Sequence, residues 1–310
     1  MSDENAAVDL LSITSTVLDN YRSDIASLEH PFFSLSTKRD MSVKVYAYGN
    51  LKMTVNPSHI GRATIFDKDI WLYVISRLQE KIRHGEPISK KVSFTAANFL
   101  KSTKRNLSGR SYQNLKDALT RLRGTSVITN IKNSKTTQET FEFGLIDSWH
   151  IHSEKDSNSM DMHKVVVELP EWVMSAVKAN NLLKVSSEYF EITSPLKRRL
   201  YEIARKHCGR QDSFCISLEK LFIKVGSNGT LPKFRFNIKK IAQETEDAIE
   251  VGLKKKEAPT LPIPEYLIRF ESKSDNVYFV NTDQTSDEAL ASKDKRTGDQ
   301  KMRELQQSLL

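Results

Sequence analysis

Apolar positions along the chain alternate between a period near 3.6 and a period of two, and the changes of period mark out its elements. From Ser108 to Gly124, Leu115, Ala118, Leu119 and Leu122 recur at i, i+3, i+4 and i+7, which predicts a helix with one leucine face. Arg110, Gln113, Asp117, Thr120 and Arg121 fall on the opposite face, with Lys116 and Arg123 on the flanks. Ser108 suits the N-cap and Gly124 a left-handed stop. Upstream, Val43–Val55 alternates as a strand pair about Gly49-Asn50. Asp67 is placed to cap a long helix carrying Ile70, Trp71, Val74, Ile75, Leu78 and Ile82 and stopped at Gly85. Val92–Phe94 reads as a short strand, and Thr95 as the cap of a helix from Ala96 to Leu100. After Gly124 the period becomes two: Ser126–Ile131 and Thr140–Ile151 predict a hairpin around the polar tip Lys132–Thr137, and Lys164–Leu169 a third strand ended by Pro170.

The second half repeats this order. Ser194-Pro195 opens a helix bearing Leu196, Leu200, Ile203, Ala204 and His207, ended by Gly209. Phe214–Leu218 reads as a strand, Glu219–Val225 as a short helix, and Pro232–Ile249 as an amphipathic helix with Phe234, Ile238, Ile241 and Thr245 on one stripe. Tyr266–Phe270 and Asn276–Val280 then make a hairpin around Ser272-Lys273-Ser274. Helix, strand, helix, basic helix and hairpin is the order of a winged helix-turn-helix unit. The expected fold is therefore α+β, with two tandem winged helix-turn-helix domains at residues 31–169 and 170–280. An acidic arm (1–30), either a short interaction helix or poorly ordered, precedes them, and a polar tail (281–310), expected to be disordered, follows.

Charge sharpens this picture. The net charge is +8, but residues 1–30 carry −5, 31–170 carry +9, 171–270 carry +6 and 271–310 carry −2. A basic centre between acidic ends suits a body that meets a polyanion. No apolar run approaches the roughly 20 residues of a membrane span, and the first residues lack a secretory pattern. Two cysteines, Cys208 and Cys215, give no disulfide framework, so a cytoplasmic location is expected.

A helix that buries leucines and presents Arg, Lys, Gln and Thr has the chemistry for a DNA major groove, where cations neutralise phosphates and forked side chains read base edges. The candidate DNA-binding residues are Arg110, Gln113, Lys116, Thr120 and Arg121 on the first helix. On the second they are Lys233, Arg235, Lys239, Lys240 and Gln243, with Lys132, Lys135 and Lys273 at hairpin tips. Phe236 falls on the polar side of the second helix, where it either presses on a thymine methyl or a sugar, or marks a helix that starts later. No catalytic residue, metal or cofactor is expected. His150-Ile151-His152, with Tyr189 and Tyr201 downstream, permits the alternative of a metal-dependent nicking enzyme, since histidines at i and i+2 share a strand face. A third ligand is not evident. Phosphate-loop, zinc-pair and nucleophile-elbow spacings are absent from the sequence.

Three stretches carry a family resemblance: His30-Pro31-Phe32-Phe33-Ser34-Leu35-Ser36, Ala63-Thr64-Ile65-Phe66-Asp67-Lys68-Asp69-Ile70, and the long Pro195–Gly209 run PLKRRLYEIARKHCG. They resemble the plasmid replication initiator protein A family, over roughly residues 30–280. The resemblance implies binding to repeated sites (iterons) in double-stranded plasmid-origin DNA, local melting, and recruitment of the host initiator and replicative helicase. It also implies a possible homodimer that represses its own gene, and a repressor-only role is a further alternative.

Overall fold

The computed structural model describes residues 18, 20–48, 51–130, 140–152, 164–208 and 211–282. At its centre lies helix α2 (Lys68–Arg83), the long helix of the first half. The expected stripe of Ile70, Trp71, Val74, Ile75 and Leu78 is buried, but so are Leu72, Tyr73 and Ser76 on its other sides. A helix apolar or satisfied all round belongs inside a core rather than on its surface. Ile82, placed on the stripe by spacing, is 37% exposed because the helix emerges from the core in its last turn.

Two groups of elements share one topology. In the first, α2 leads to β4 (Lys91–Thr95), α3 (Ala96–Ser102), α4 (Gly109–Gly124), β7 (Ser148–His152) and β8 (Lys164–Glu168). In the second, α6 (Pro195–Cys208) leads to β10 (Ser213–Ser217), α7 (Leu218–Val225), α8 (Leu231–Lys255), β11 (Tyr266–Glu271) and β12 (Asn276–Asn281). Each forms a three-stranded antiparallel sheet with its last strand in the middle, β4-β8-β7 and β10-β12-β11.

The first group carries an insertion: the expected pairing of the Ser126 run with the run after Thr140 forms between β5 (Ser126–Thr129) and β6 (Phe141–Gly144), but only over the first part of the second run. The stretch Thr140–Ile151 is two strands, β6 and β7, in different sheets. β5 and β6 join β2 (Lys44–Tyr48) and β3 (Leu51–Asn56) in a four-stranded sheet, order β2-β3-β5-β6. The counterpart of the β11–β12 hairpin is thus β7–β8. Alternation alone cannot assign a strand to a sheet, because the period is the same in both.

The boundary at residue 30 also changes. Tyr21–Asp24 forms strand β1, paired antiparallel with β9 (Leu182–Val185), and Ile25–Glu29 forms helix α1. The segment is held by the core despite its acidic character. Asp24 caps α1 by accepting from the Ser27 amide (2.8 Å) and accepts from Trp71 Nε1 (2.9 Å), with no exposed surface left. The boundary at 169 is likewise bridged: α5 (Glu171–Lys178) sets Trp172 against Trp71, Phe32 and Phe143 of the first half.

Between α2 and α6 lies a buried ionic network. Lys68 donates to Glu202 (2.8 Å) and to the Ser27 carbonyl (3.0 Å). Arg199 donates to the other Glu202 oxygen (2.9 Å) and to the Leu28 carbonyl (2.8 Å), and Tyr189 donates to Glu202 as well (2.8 Å). One residue along, Arg198 meets Asp69 at 2.5 Å, and Arg105 from the α3–α4 turn meets the second Asp69 oxygen at 2.6 Å. Desolvating such charges is tolerable only when they are paired and hydrogen-bonded; each charged group of the network meets an opposite charge, while Arg199 Nε is buried with no hydrogen-bond partner. At the edge, Glu29 receives Lys224 and His207 (2.9 Å). Burial alone would raise its carboxyl, but those hydrogen bonds hold it well below the usual carboxylate range.

Candidate nucleic-acid interface

Helix α4 begins where expected. Ser108 Oγ accepts from the Ser111 amide at 3.2 Å, satisfying one of the free donors of the first turn. Leu115, Ala118, Leu119 and Leu122 are buried, at most 2% exposed, so the opposite face is set outward. Arg110, Gln113, Asn114, Lys116 and Arg123 are exposed. Gln113 donates to Asp117 (2.8 Å) one turn on, which leaves its carbonyl oxygen and one N–H outward. The Thr120 hydroxyl donates back to the Lys116 carbonyl (2.9 Å).

Arg121 departs from the outward set. Its Nε and Nη2 form a fork on the Asp67 carboxylate at 2.7 and 2.8 Å, with the side chain 22% exposed. That hydrogen-bonded pairing raises the guanidinium's pKa. Asp67 in turn makes no capping bond to α2; it accepts from Arg121 and from the Thr64 amide (2.8 Å). Arg121 is therefore the clamp that fixes α4 to the start of α2. Gly124 is also reassigned. It is the last helical residue, followed by Thr125 in extended conformation, and a Cβ there would lie 2.4 Å from the Ser58 Cβ. Close approach, not a left-handed stop, demands glycine.

Helix α8 occupies the equivalent place in the second group and runs beyond the expected 232–249. Phe234, Ile238, Ile241, Ala242 and Thr245 face inward, while Lys233, Phe236, Lys239, Lys240 and Gln243 are exposed. Gln243 donates to Asp247 at 2.9 Å, the same i,i+4 arrangement as Gln113 and Asp117. Arg235 turns to Asp275 in the β11–β12 turn (2.6 Å for one arm), with both side chains more than a third exposed. Lys239 lies 5.4 Å over the Phe270 ring. Lys273 is exposed at the hairpin tip. Lys132 and Lys135 lie outside the described residues.

The spacing of the candidates missed Asn114, exposed beside Arg110 and Gln113, and missed the carboxylates that orient their neighbours, Asp67 and Asp275. An exposed carboxamide beside an arginine was the available signal for the first. The others depend on pairings 54 and 40 residues apart and leave no local trace.

Among the described residues, the histidines and tyrosines of the nicking alternative are not presented together. Tyr189 and Tyr201 are 1% and 0% exposed and donate to Glu202 and Glu265 (3.0 Å for the latter), and burial pushes both phenols well up. His150 and His152 sit exposed on β7. Among the described residues no three His, Cys, Asp or Glu side chains are grouped to hold a metal ion, and no helix is long and apolar enough to cross a membrane.

Comparison with known proteins agrees with this architecture. The chain is 42% identical over 263 residues to a protein of Wigglesworthia glossinidia brevipalpis that is named as a replication protein, covering 84% of this chain and 89% of that one. Crystal structures of domains 2 and 3 of RctB share the fold at 12% identity. A selenomethionine derivative superposes with a TM-score of 0.58 and a second structure with 0.50, each covering 84% of this chain and 98% of the other. The replication initiator protein A family matches residues 22–247, and the chain belongs to that family.

Proposed function

We propose that this initiator works by binding double-stranded origin DNA through two winged helix-turn-helix units, setting α4 and α8 into the major groove at neighbouring positions. The supporting observation is that both helices stand at the same topological place. Each buries one apolar face and presents exposed cations (Arg110, Lys116 and Arg123 on α4; Lys233, Lys239 and Lys240 on α8) and a carboxylate-oriented glutamine on the other. Exposed cations supply affinity through counterion release, and Arg110, Gln113 and Gln243 supply forked donors and acceptors for base edges. Lys273 reaches phosphate from the β11–β12 turn, and Lys132 and Lys135 are assigned the same role from their place in the sequence. Local melting and recruitment of the host initiator and replicative helicase complete the role, in the cytoplasm, without covalent chemistry and as a monomer or homodimer.

Footprinting on DNA flanking its own gene gives the site, and titrations over a range of salt give the contacts. Lys116→Ala, Lys233→Ala and Lys240→Ala each lower the salt slope by about one. Unchanged affinity and slope in a variant lacking Arg110, Lys116, Lys233 and Lys240 together would overturn the proposal. Permanganate reactivity of supercoiled origin DNA separates an initiator that melts its site from a repressor that only occupies it.

A further inference from the structure

We infer that Phe236 reads a thymine, its ring packed on the 5-methyl group in the major groove. This deepens the DNA-binding proposal and rests on it. Phe234 is 2% exposed and packs on Phe222 with ring centroids 5.4 Å apart. Two residues further along a helix is a rotation of about 200°, so the packing that draws Phe234 inward turns Phe236 to the far side. There it is 66% exposed, and it makes no ring contact among the described residues.

The surroundings select the occupant. Lys233, Lys240 and Gln243 lie at i−3, i+4 and i+7 from Phe236 and share its face. An apolar ring bordered by lysines suits a surface that is negative at its margins and offers a small apolar group at its centre. In the major groove phosphates line both walls, and thymine is the base that presents a methyl group there. An apolar groove on a protein would instead have to desolvate the lysines. Helix α4 has no counterpart: its aromatic residue, Tyr112, is partly buried against the core, so the effect is confined to the second unit.

The test uses the full chain and the duplex it protects in a footprint, made once with thymine and once with uracil throughout, which deletes the methyl groups and leaves the pairing edges. The wild type should bind the uracil duplex about fourfold more weakly for one methyl contact. Phe236→Ala should bind both duplexes equally, at about the wild type's affinity for the uracil form. Its melting temperature should be nearly unchanged, since the ring is 66% exposed and makes no ring contact among the described residues. Equal wild-type affinity for the two duplexes, or a thymine preference that survives in Phe236→Ala, overturns the inference while leaving DNA binding intact. Failure to protect any duplex overturns the DNA-binding proposal itself.

Discussion

Lys68 and Glu202 meet at 2.8 Å with their side chains 0% and 2% exposed, one on α2 and the other on α6. Their pairing joins the first topological group to the second. Because Glu202 also receives Arg199 and Tyr189, the two halves of the pair are not equivalent. Glu202→Leu strands two buried cations and should cost roughly 3–5 kcal/mol. Lys68→Met leaves the carboxylate with two donors and should cost less. The double variant should be more stable than the two single losses add up to, since an apolar pair carries no desolvation penalty. Urea unfolding measures all three; a Glu202→Leu variant as stable as wild type would rule out a structural role for the pair.

Arg121 and Arg110 share a helix but should separate in experiment. Arg121→Ala removes a forked, half-buried bond to Asp67 and should lower stability by about 2 kcal/mol. Arg110→Ala should leave the melting temperature in place and weaken DNA binding by about 1–3 kcal/mol if the residue meets a base. Calorimetry and binding on the same samples decide it. A stable Arg121→Ala that loses sequence preference would return Arg121 to the groove.

Burial pushes the His30 imidazole down from its ordinary 6.5 to about 4; Glu29 opposes the shift, and Arg199, Lys224 and Lys206 reinforce it. The unfolded chain therefore takes up this proton at a higher pH than the native one. Stability should rise with pH between about 4 and 6.5 and level off above, with a total effect on the order of 3 kcal/mol. His30→Gln should flatten that limb, measured as urea midpoints across the window. The Glu29 carboxyl lies far lower when folded, so its contribution is lost only as pH falls below the usual carboxylate range. An identical slope in wild type and His30→Gln would show that another group titrates.

Gly124→Ala would put a Cβ 2.4 Å from the Ser58 Cβ and 3.1 Å from its Cα. Backbone rather than a flexible tip has to yield, so a loss of about 1–3 kcal/mol is expected, against the usual small gain from replacing a helical glycine. Gly109→Ala, at the open start of the same helix, is the control, since nothing lies within 4 Å. Equal melting temperatures for the two variants would count against the close approach.

What could be read from the sequence was whatever local spacing determines. The leucine face of α4, its Ser108 cap, the Thr95 cap of α3 and the succession of helix, strand, helix and basic helix in each half follow from periods and caps within a few residues. What escaped depends on distant partners. Arg121 looks like any outward arginine until Asp67 is brought beside it, and β6 and β7 look like one strand run until they enter different sheets. The segments that carry the family resemblance illustrate the same limit. Lys68, Asp69, Arg198, Arg199 and Glu202 come from those runs, and they build the lock between α2 and α6 rather than the outward faces of α4 and α8.

Strand β1 has its ladder completed by β9, Asp24 opposite Leu182, so β1 waits for about 160 further residues before its backbone groups are paired. Sequential folding from the ribosome is thereby discouraged, and the chain should unfold in a single cooperative step. Severed after residue 180, the leading fragment would keep an open sheet edge, a surface on which neighbouring fragments can aggregate.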